Sequence, residues 1–269
     1  MTGIVVTLQS IAVVGPGLAS WDQTRAILAG AAHYEAGPTA APPPARLPPA
    51  ERRRTGLAVR IALAVGQQAA DAADIDAATL PAVFSASGGD GDNCSAICET
   101  LASDDRQISP TRFHNSVHNA PSGYWSIATG AMTPSTALCA YDGSFGAGLI
   151  EAACQVVADN RPVLLVAYDS PYPEPLRATR PIPHGFGVGL VLAPEQSPGP
   201  RLARLTIALG GDAAETLANP DLEALRTAIP AARALPLLAA IAREETRRVV
   251  LEYLDATRLV IECAPEPAN

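Results

Sequence analysis

The chain has 269 residues and a net charge of −8; hydrophobic residues make up 48% of it but aromatic ones only 4%. That length buries the core of one large domain, or of one domain with an appended piece. The acidic balance, with no basic patch interleaved with aromatics, argues against nucleic acid as a partner.

The five cysteines, Cys94, Cys98, Cys139, Cys154 and Cys263, are odd in number and irregularly spaced. This suits a reducing compartment and not a disulfide framework. Cys94 and Cys98 lack a second ligand pair for zinc and read as two small buried thiols on one helix face. No metal or cofactor is expected. No charged leader precedes Ile4–Leu8 and no apolar run reaches the length of a membrane span, so a cytoplasmic protein is expected. Arg52, Arg53 and Arg54 read as a solvated helix start.

The β-branched run over residues 4–14 predicts a strand, ended by Gly15-Pro16-Gly17. Helical spacing at Trp21, Thr24, Ile27 and Leu28 predicts a helix over 21–32. Residues 37–50 hold six prolines without periodicity and read as an extended loop. An apolar stripe of Leu57, Ile61, Ala64, Val65 and Ala69 predicts a long helix over 51–73. A short strand over 80–87 runs into Gly88-Gly89-Asp90-Gly91, and a helix over 92–103 follows with Asp92 or Asn93 as its cap.

After Pro110, a strand is predicted at 135–138, a turn at 140–143 and a small-residue helix from about 143 to 159. The continuous apolar run 163–168 reads as a buried parallel strand. A proline-rich loop over 170–183 leads to a glycine-studded strand at 185–193, and residues 194–200 mark a break. Beyond lie a strand (201–209), a helical region (213–243) and a hairpin with strands at 248–253 and 258–263. The alternation through residue 193 predicts a mostly parallel α/β sheet with helices on both faces.

Two stretches could carry chemistry. In the first, Phe113-His114-Asn115-Ser116-Val117-His118-Asn119, a helix would put His114 and His118 on one face. With no Glu in the H-E-x-x-H position and no third ligand, a hydrogen-bonded polar network at an interface is the better reading than a metal site. Phe113, Tyr124 and Trp125 would supply that interface's aromatic core. The second stretch, from Ser135 to Ala152, reads as strand, sharp turn and small-residue helix, the architecture of a nucleophile elbow. A helix N-terminus at such a turn lowers a thiol pKa and stabilises an oxyanion.

This second stretch resembles the active-site elbow of the β-ketoacyl synthases, which share the thiolase fold. Matching the helix through Glu151-Ala152-Ala153 places Asp142 at the position of the nucleophile, with Cys139 three residues upstream. Asp142 would then be a poor acyl acceptor serving as a helix cap. The resemblance also takes in Ile11–Gly30, Val83–Gly91, Asn119–Gly130 and Arg180–Leu192, or roughly residues 8–193. It implies a complete N-terminal half over 1–193 and a truncated, degenerate C-terminal half over 194–269. The residues beyond 194 contain no histidine, whereas full synthases draw two catalytic histidines from their second half.

The stretch from Phe113 to Gly130 is similar to short ketosynthase-like proteins of aryl polyene clusters that act like chain length factors. The resemblance implies a non-catalytic subunit paired with a full-length β-ketoacyl synthase, meeting acyl carrier protein through that complex. Phe113, His114, Ser116, His118, Asn119, Tyr124 and Trp125 would build the interface. Tyr141, Asp142 and Phe145 would lie near the vestigial site. Two alternatives stand beside it. One is a thiol acyltransferase or hydrolase using Cys139 with His114, His118 or His184. In the other the chain is a homodimeric carrier or scaffold. For Cys139, a buried small residue on a central strand is the plainer reading than a nucleophile.

Overall fold

The structure, a computed structural model, describes residues 3–266. Strand β1 (Ile4–Val14) is followed by helix α1 (Trp21–Leu28), a short helix α2 (Pro49–Arg52) and helix α3 (Leu57–Ala72). Strand β2 (Ala82–Ser85), helix α4 (Gly91–Ala102), short helix α5 (Pro110–Asn115) and helix α6 (Ala120–Thr129) come next. Strand β3 (Ser135–Leu138) enters a 3-10 turn at Tyr141–Gly143, and helix α7 (Ser144–Asp159) leads to strand β4 (Val163–Asp169). A one-turn helix α8 (Leu176–Thr179) interrupts the proline-rich loop before strand β5 (Phe186–Ala193). The chain ends with strand β6 (Ala203–Gly210), helices α9 (Pro220–Ala228) and α10 (Leu235–Ala242), and the hairpin of β7 (Arg247–Leu254) and β8 (Thr257–Pro265).

All eight strands join one sheet in the order β3-β2-β4-β5-β1-β6-β8-β7. The expectation of a mostly parallel sheet is corrected here. Only β3–β2 and β2–β4 run parallel; β4–β5, β5–β1, β1–β6, β6–β8 and β8–β7 are antiparallel. Strands β4 and β5 are buried along their whole length. Burial on both faces erases the alternation that usually distinguishes the antiparallel case.

Two cores flank the sheet. One gathers α7 and the α9–α10 region against Val6, Leu8, Ile11 and Val13 of β1. The other gathers α3 and α6 against Ala12 and Val14. The odd and even residues of β1 exchange faces because its pairing with β5 shifts register between Leu8 and Ser10. On α7, Leu149 and Val156 are fully buried, each contributing roughly 1.5–3 kcal/mol relative to an exposed side chain.

Several boundaries differ from those read in the sequence. Helix α1 stops at Leu28, its C-cap at Ala29. The long helix over 51–73 is two pieces, because the chain turns at 53–56 and α3 begins only after Gly56. The cap of α4 is Asp90, whose side chain accepts from Asn93 N, and not Asp92 or Asn93. Cys94 and Cys98 do share a helix, but both are exposed and not buried.

Candidate functional site

The carboxyl ends of the parallel strands β2, β3 and β4 converge on the turn before α7, and the side chains of the candidate elbow meet there. Tyr141 holds a left-handed backbone (φ 50), the strain expected where a strand reverses sharply into a helix. Ser144 secures the turn: its Oγ accepts from Ala140 N at 3.0 Å and donates to the Tyr141 carbonyl at 2.7 Å. Phe145 is buried in the core beneath.

Asp142 does not cap the helix. The N-cap of α7 is Gly143, with no side-chain capping bond. The Asp142 carboxylate instead receives Arg180 Nη2 on Oδ1 at 2.6 Å and Arg233 Nη2 on Oδ2 at 3.3 Å. Arg180 also stacks on the Tyr141 ring, 3.9 Å from its centroid. The chain of charge continues from Arg233 to Glu252 (3.2 Å), to Arg226 (3.2 Å) and to Glu223 (2.7 Å). The tip of the elbow is therefore a carboxylate held by two guanidinium groups from distant segments. Charge-assisted pairing of this kind fixes the side chain in place.

Cys139 is not the buried residue of a central strand that the sequence suggested. It follows the edge strand β3, is exposed, and its thiol donates to the Ser87 carbonyl at 3.2 Å. Among the described residues no histidine hydrogen-bonds to it. His114 is exposed, edge-on to Tyr124 with centroids 6.0 Å apart. His118 lies beyond the end of α5, in the turn before α6, so the two imidazoles do not share a helix face. Its Nε2 is buried beside Gly88, Gly89 and Tyr168 with no hydrogen-bond partner among the described residues. His184 lines a different cleft, with Tyr34 and Asp221. The imidazoles are scattered, and a thiol–imidazole pair is not assembled.

Residues that the sequence reading did not single out complete the site. Asp169, at the end of β4, is fully buried. It accepts from Ser87 N (3.0 Å), Ser87 Oγ (2.6 Å) and Ala231 N (2.8 Å). Burial pushes its pKa up to about 6, against the lowering pull of those bonds. Tyr172 lies across the Gly88-Gly89-Asp90-Gly91 turn. A Cβ on Gly88 would fall 2.0 Å from the Tyr172 hydroxyl, and one on Gly91 2.1 Å from its ring. These two glycines are thus a seat for Tyr172, a role that the glycine run alone could only have hinted at. Tyr172 and Arg180 together fix the 170–183 loop over the elbow.

The residues expected at an interface separate into two sets. Tyr124 and Trp125 sit inside the chain's own core and not on its surface, with Trp125 1% exposed and edge-on to Phe84. Tyr124 donates to Asn115 Oδ1 at 2.9 Å. Phe113 (68% exposed), Ser116 and Asn119 are on the surface. Nearby Val117, Ile127 and Met132, the last 96% exposed, enlarge the apolar surface. Among the described residues β3 is an edge strand of the sheet, with β2 as its one strand partner.

A family model described as the N-terminal domain of β-ketoacyl synthase matches residues 21–251. No curated protein matches the chain in sequence. Among solved structures, it is similar to one chain of a ketosynthase (ApeO) in complex with its chain length factor (ApeC) from Xenorhabdus doucetiae. That match has a TM-score of 0.73 at 22% identity and covers 96% of this chain and 99% of that one. It is similar to the ishigamide ketosynthase/chain length factor at TM-score 0.73 and 14% identity, covering 97% and 99% of the two chains. A β-ketoacyl synthase from Burkholderia phymatum STM815 matches at TM-score 0.59 and 12% identity, with 90% of this chain and 71% of that one covered. The fold is thus the thiolase-like fold of ketosynthases. Among the described residues no helix is long and apolar enough to cross a membrane.

Proposed function

The chain belongs to the β-ketoacyl synthase N-terminal domain family, and from that premise we propose that it is a chain length factor-like subunit without catalysis of its own. It pairs with a full-length β-ketoacyl synthase in cytoplasmic polyene or type II polyketide biosynthesis, stabilises the heterodimer and shapes its acyl tunnel. Acyl carrier protein reaches it through the complex. The relatives described above as complexes of a ketosynthase with a chain length factor support this reading.

The observation that carries it is the Arg180–Asp142–Arg233 cluster at the tip of the elbow. Claisen condensation needs a nucleophile to take the acyl group and a base to activate it. A carboxylate ion-paired with two arginines is a poor acyl acceptor, and among the described residues no imidazole is paired with it. What the molecule offers instead is surface. The edge strand β3, with Ile127 of the helix packed beside it and Met132 just before it both exposed, is a surface suited to a partner, and Phe113 and Val117 add further exposed apolar side chains.

Co-expression with a full-length synthase and purification through a tag on one subunit tests the pairing. A complex of one copy of each is expected by mass. A chain that elutes alone, or only as a dimer of itself, would favour the scaffold reading.

A further inference from the structure

The sheet ends at β3 on one side and at β7 on the other. Among the described residues β7 has β8 as its one strand partner. Its outer side is nevertheless covered, by the irregular segment 211–217 between β6 and α9. Glu215 N donates to the Val250 carbonyl at 2.9 Å, and Val250 N donates to Glu215 Oε1 at 3.3 Å. The same carboxylate takes Arg247 on Oε2, and Asp212 takes Arg248. Leu217 N donates to Glu223 Oε2 at 2.8 Å, which anchors the segment to the first turn of α9. One residue thus satisfies both outward backbone groups at the middle of β7, groups that an edge strand otherwise offers to another chain.

The sequence of β7 shows what it would do uncovered. Backbone groups alternate sides along a strand, so those of Arg248 and Glu252 turn outward with those of Val250. Let β7 pair antiparallel with β7 of a second copy, centred on Val250. Arg248 of each copy then faces Glu252 of the other, and these outward pairs are the ones that exchange hydrogen bonds. Between them Val249 faces Leu251. Opposite charges directly across favour such a pair, and the arrangement is its own two-fold partner. We infer that segment 211–217 is an autoinhibitory guard, which keeps a self-complementary β7 edge from adding a second copy of this chain and leaves assembly to the β3 edge. The guard depends only on β7 and its cover, and is independent of whether the chain pairs with a synthase.

The test uses the full chain alone, its mass followed by light scattering over a range of concentrations. Asp212→Ala with Glu215→Pro removes both carboxylates and the Glu215 N–H from an irregular segment. This double variant is expected to at least double its mass relative to the wild type at equal concentration. Adding Arg248→Glu sets like charges opposite each other twice across the two-fold, and is expected to return the mass to the wild-type value. Arg248 and its neighbour Glu262 on β8 are both exposed, so solvent screens the new repulsion within the chain. A mass that stays at the wild-type value, or a rise that Arg248→Glu does not reverse, would overturn the assignment. Hydrogen exchange of the wild type keeps the test decisive if the double variant fails to fold. The Val250 amide is expected to exchange at least about tenfold more slowly than that of Glu252, after correction for intrinsic rates. Equal exchange would show that Glu215 does not hold this edge.

Discussion

Arg180 reaches the Asp142 carboxylate at 2.6 Å while its guanidinium stacks 3.9 Å from the centroid of the Tyr141 ring. One arginine therefore ties the strained residue of the elbow, its tip and the 170–183 loop together. Asp142→Ala leaves Arg180 without its carboxylate, whereas Arg233 keeps Glu252. Asp142 is itself 39% exposed, which limits the effect. A loss of about 1–2 kcal/mol is expected, seen as a fall of roughly 2–8 °C in Tm. Asp142→Asn should lie between the two. An unchanged Tm in Asp142→Ala would mean that the cluster does not hold the loop.

Asp169 gives the molecule a pH signature of defined sign. Its folded-state pKa of about 6 lies above its ordinary value of 3.8. Between those values the folded state holds the proton more tightly than the unfolded chain, so this group's contribution favours folding at low pH. The contribution is full below about pH 4 and is lost as pH rises through about 6. The loss amounts to roughly 3 kcal/mol at most. Denaturant titrations at pH 4, 5, 6 and 7 should show the stability of the wild type, measured against Asp169→Asn, falling across that window. A difference that rises with pH would reverse the assignment.

The seat of Tyr172 can be tested by filling it. Gly91 is the first residue of α4, where alanine alone would favour the helix. Here its methyl would meet the Tyr172 ring at 2.1 Å. Gly91→Ala is therefore expected to destabilise by about 1–3 kcal/mol and to open the 170–183 loop to trypsin at Arg177. Tyr172→Ala in the same chain should recover part of the lost stability. Purely additive effects in that double-mutant cycle would show that the two residues do not meet.

Much of this architecture was legible in the sequence. The β-branched run of β1, the apolar run of β4 and the small-residue helix α7 fell where the pattern put them, because each is long and bounded by glycine, proline or a turn. Strand direction was not legible: β4 and β5 are buried on both faces, and their residue patterns are the same for either orientation. The histidine pair was misread because one helix was assumed from 113 to 119. Pro121, near the start of α6, was the available sign that a new helix begins there. The clamp on Asp142 could not be seen, since Arg180 and Arg233 lie 38 and 91 residues away and nothing local in the sequence pairs them with it. Asp169 falls one residue past the apolar run 163–168 and carries no local signal, and only the fold brings it to Ser87 and Ala231.

Met132 offers a clean probe of the proposed pairing face. At 96% exposure its replacement by Asp removes almost no contact within the chain, so Tm should change by no more than a degree or two. A charge placed in an apolar interface should nevertheless cut recovery of the synthase in co-purification by at least about tenfold. Full recovery would place the partner on another face.

The most direct measurement of the central claim is condensation by the co-purified complex, supplied with acyl and malonyl carrier protein, with Cys139→Ala in this chain. If this subunit contributes shape and not chemistry, the rate stays within about twofold of the wild type, and the chain alone takes up no acyl label. Loss of condensation together with acylation of the isolated chain at Cys139 would contradict the account and make this thiol the nucleophile of an enzyme.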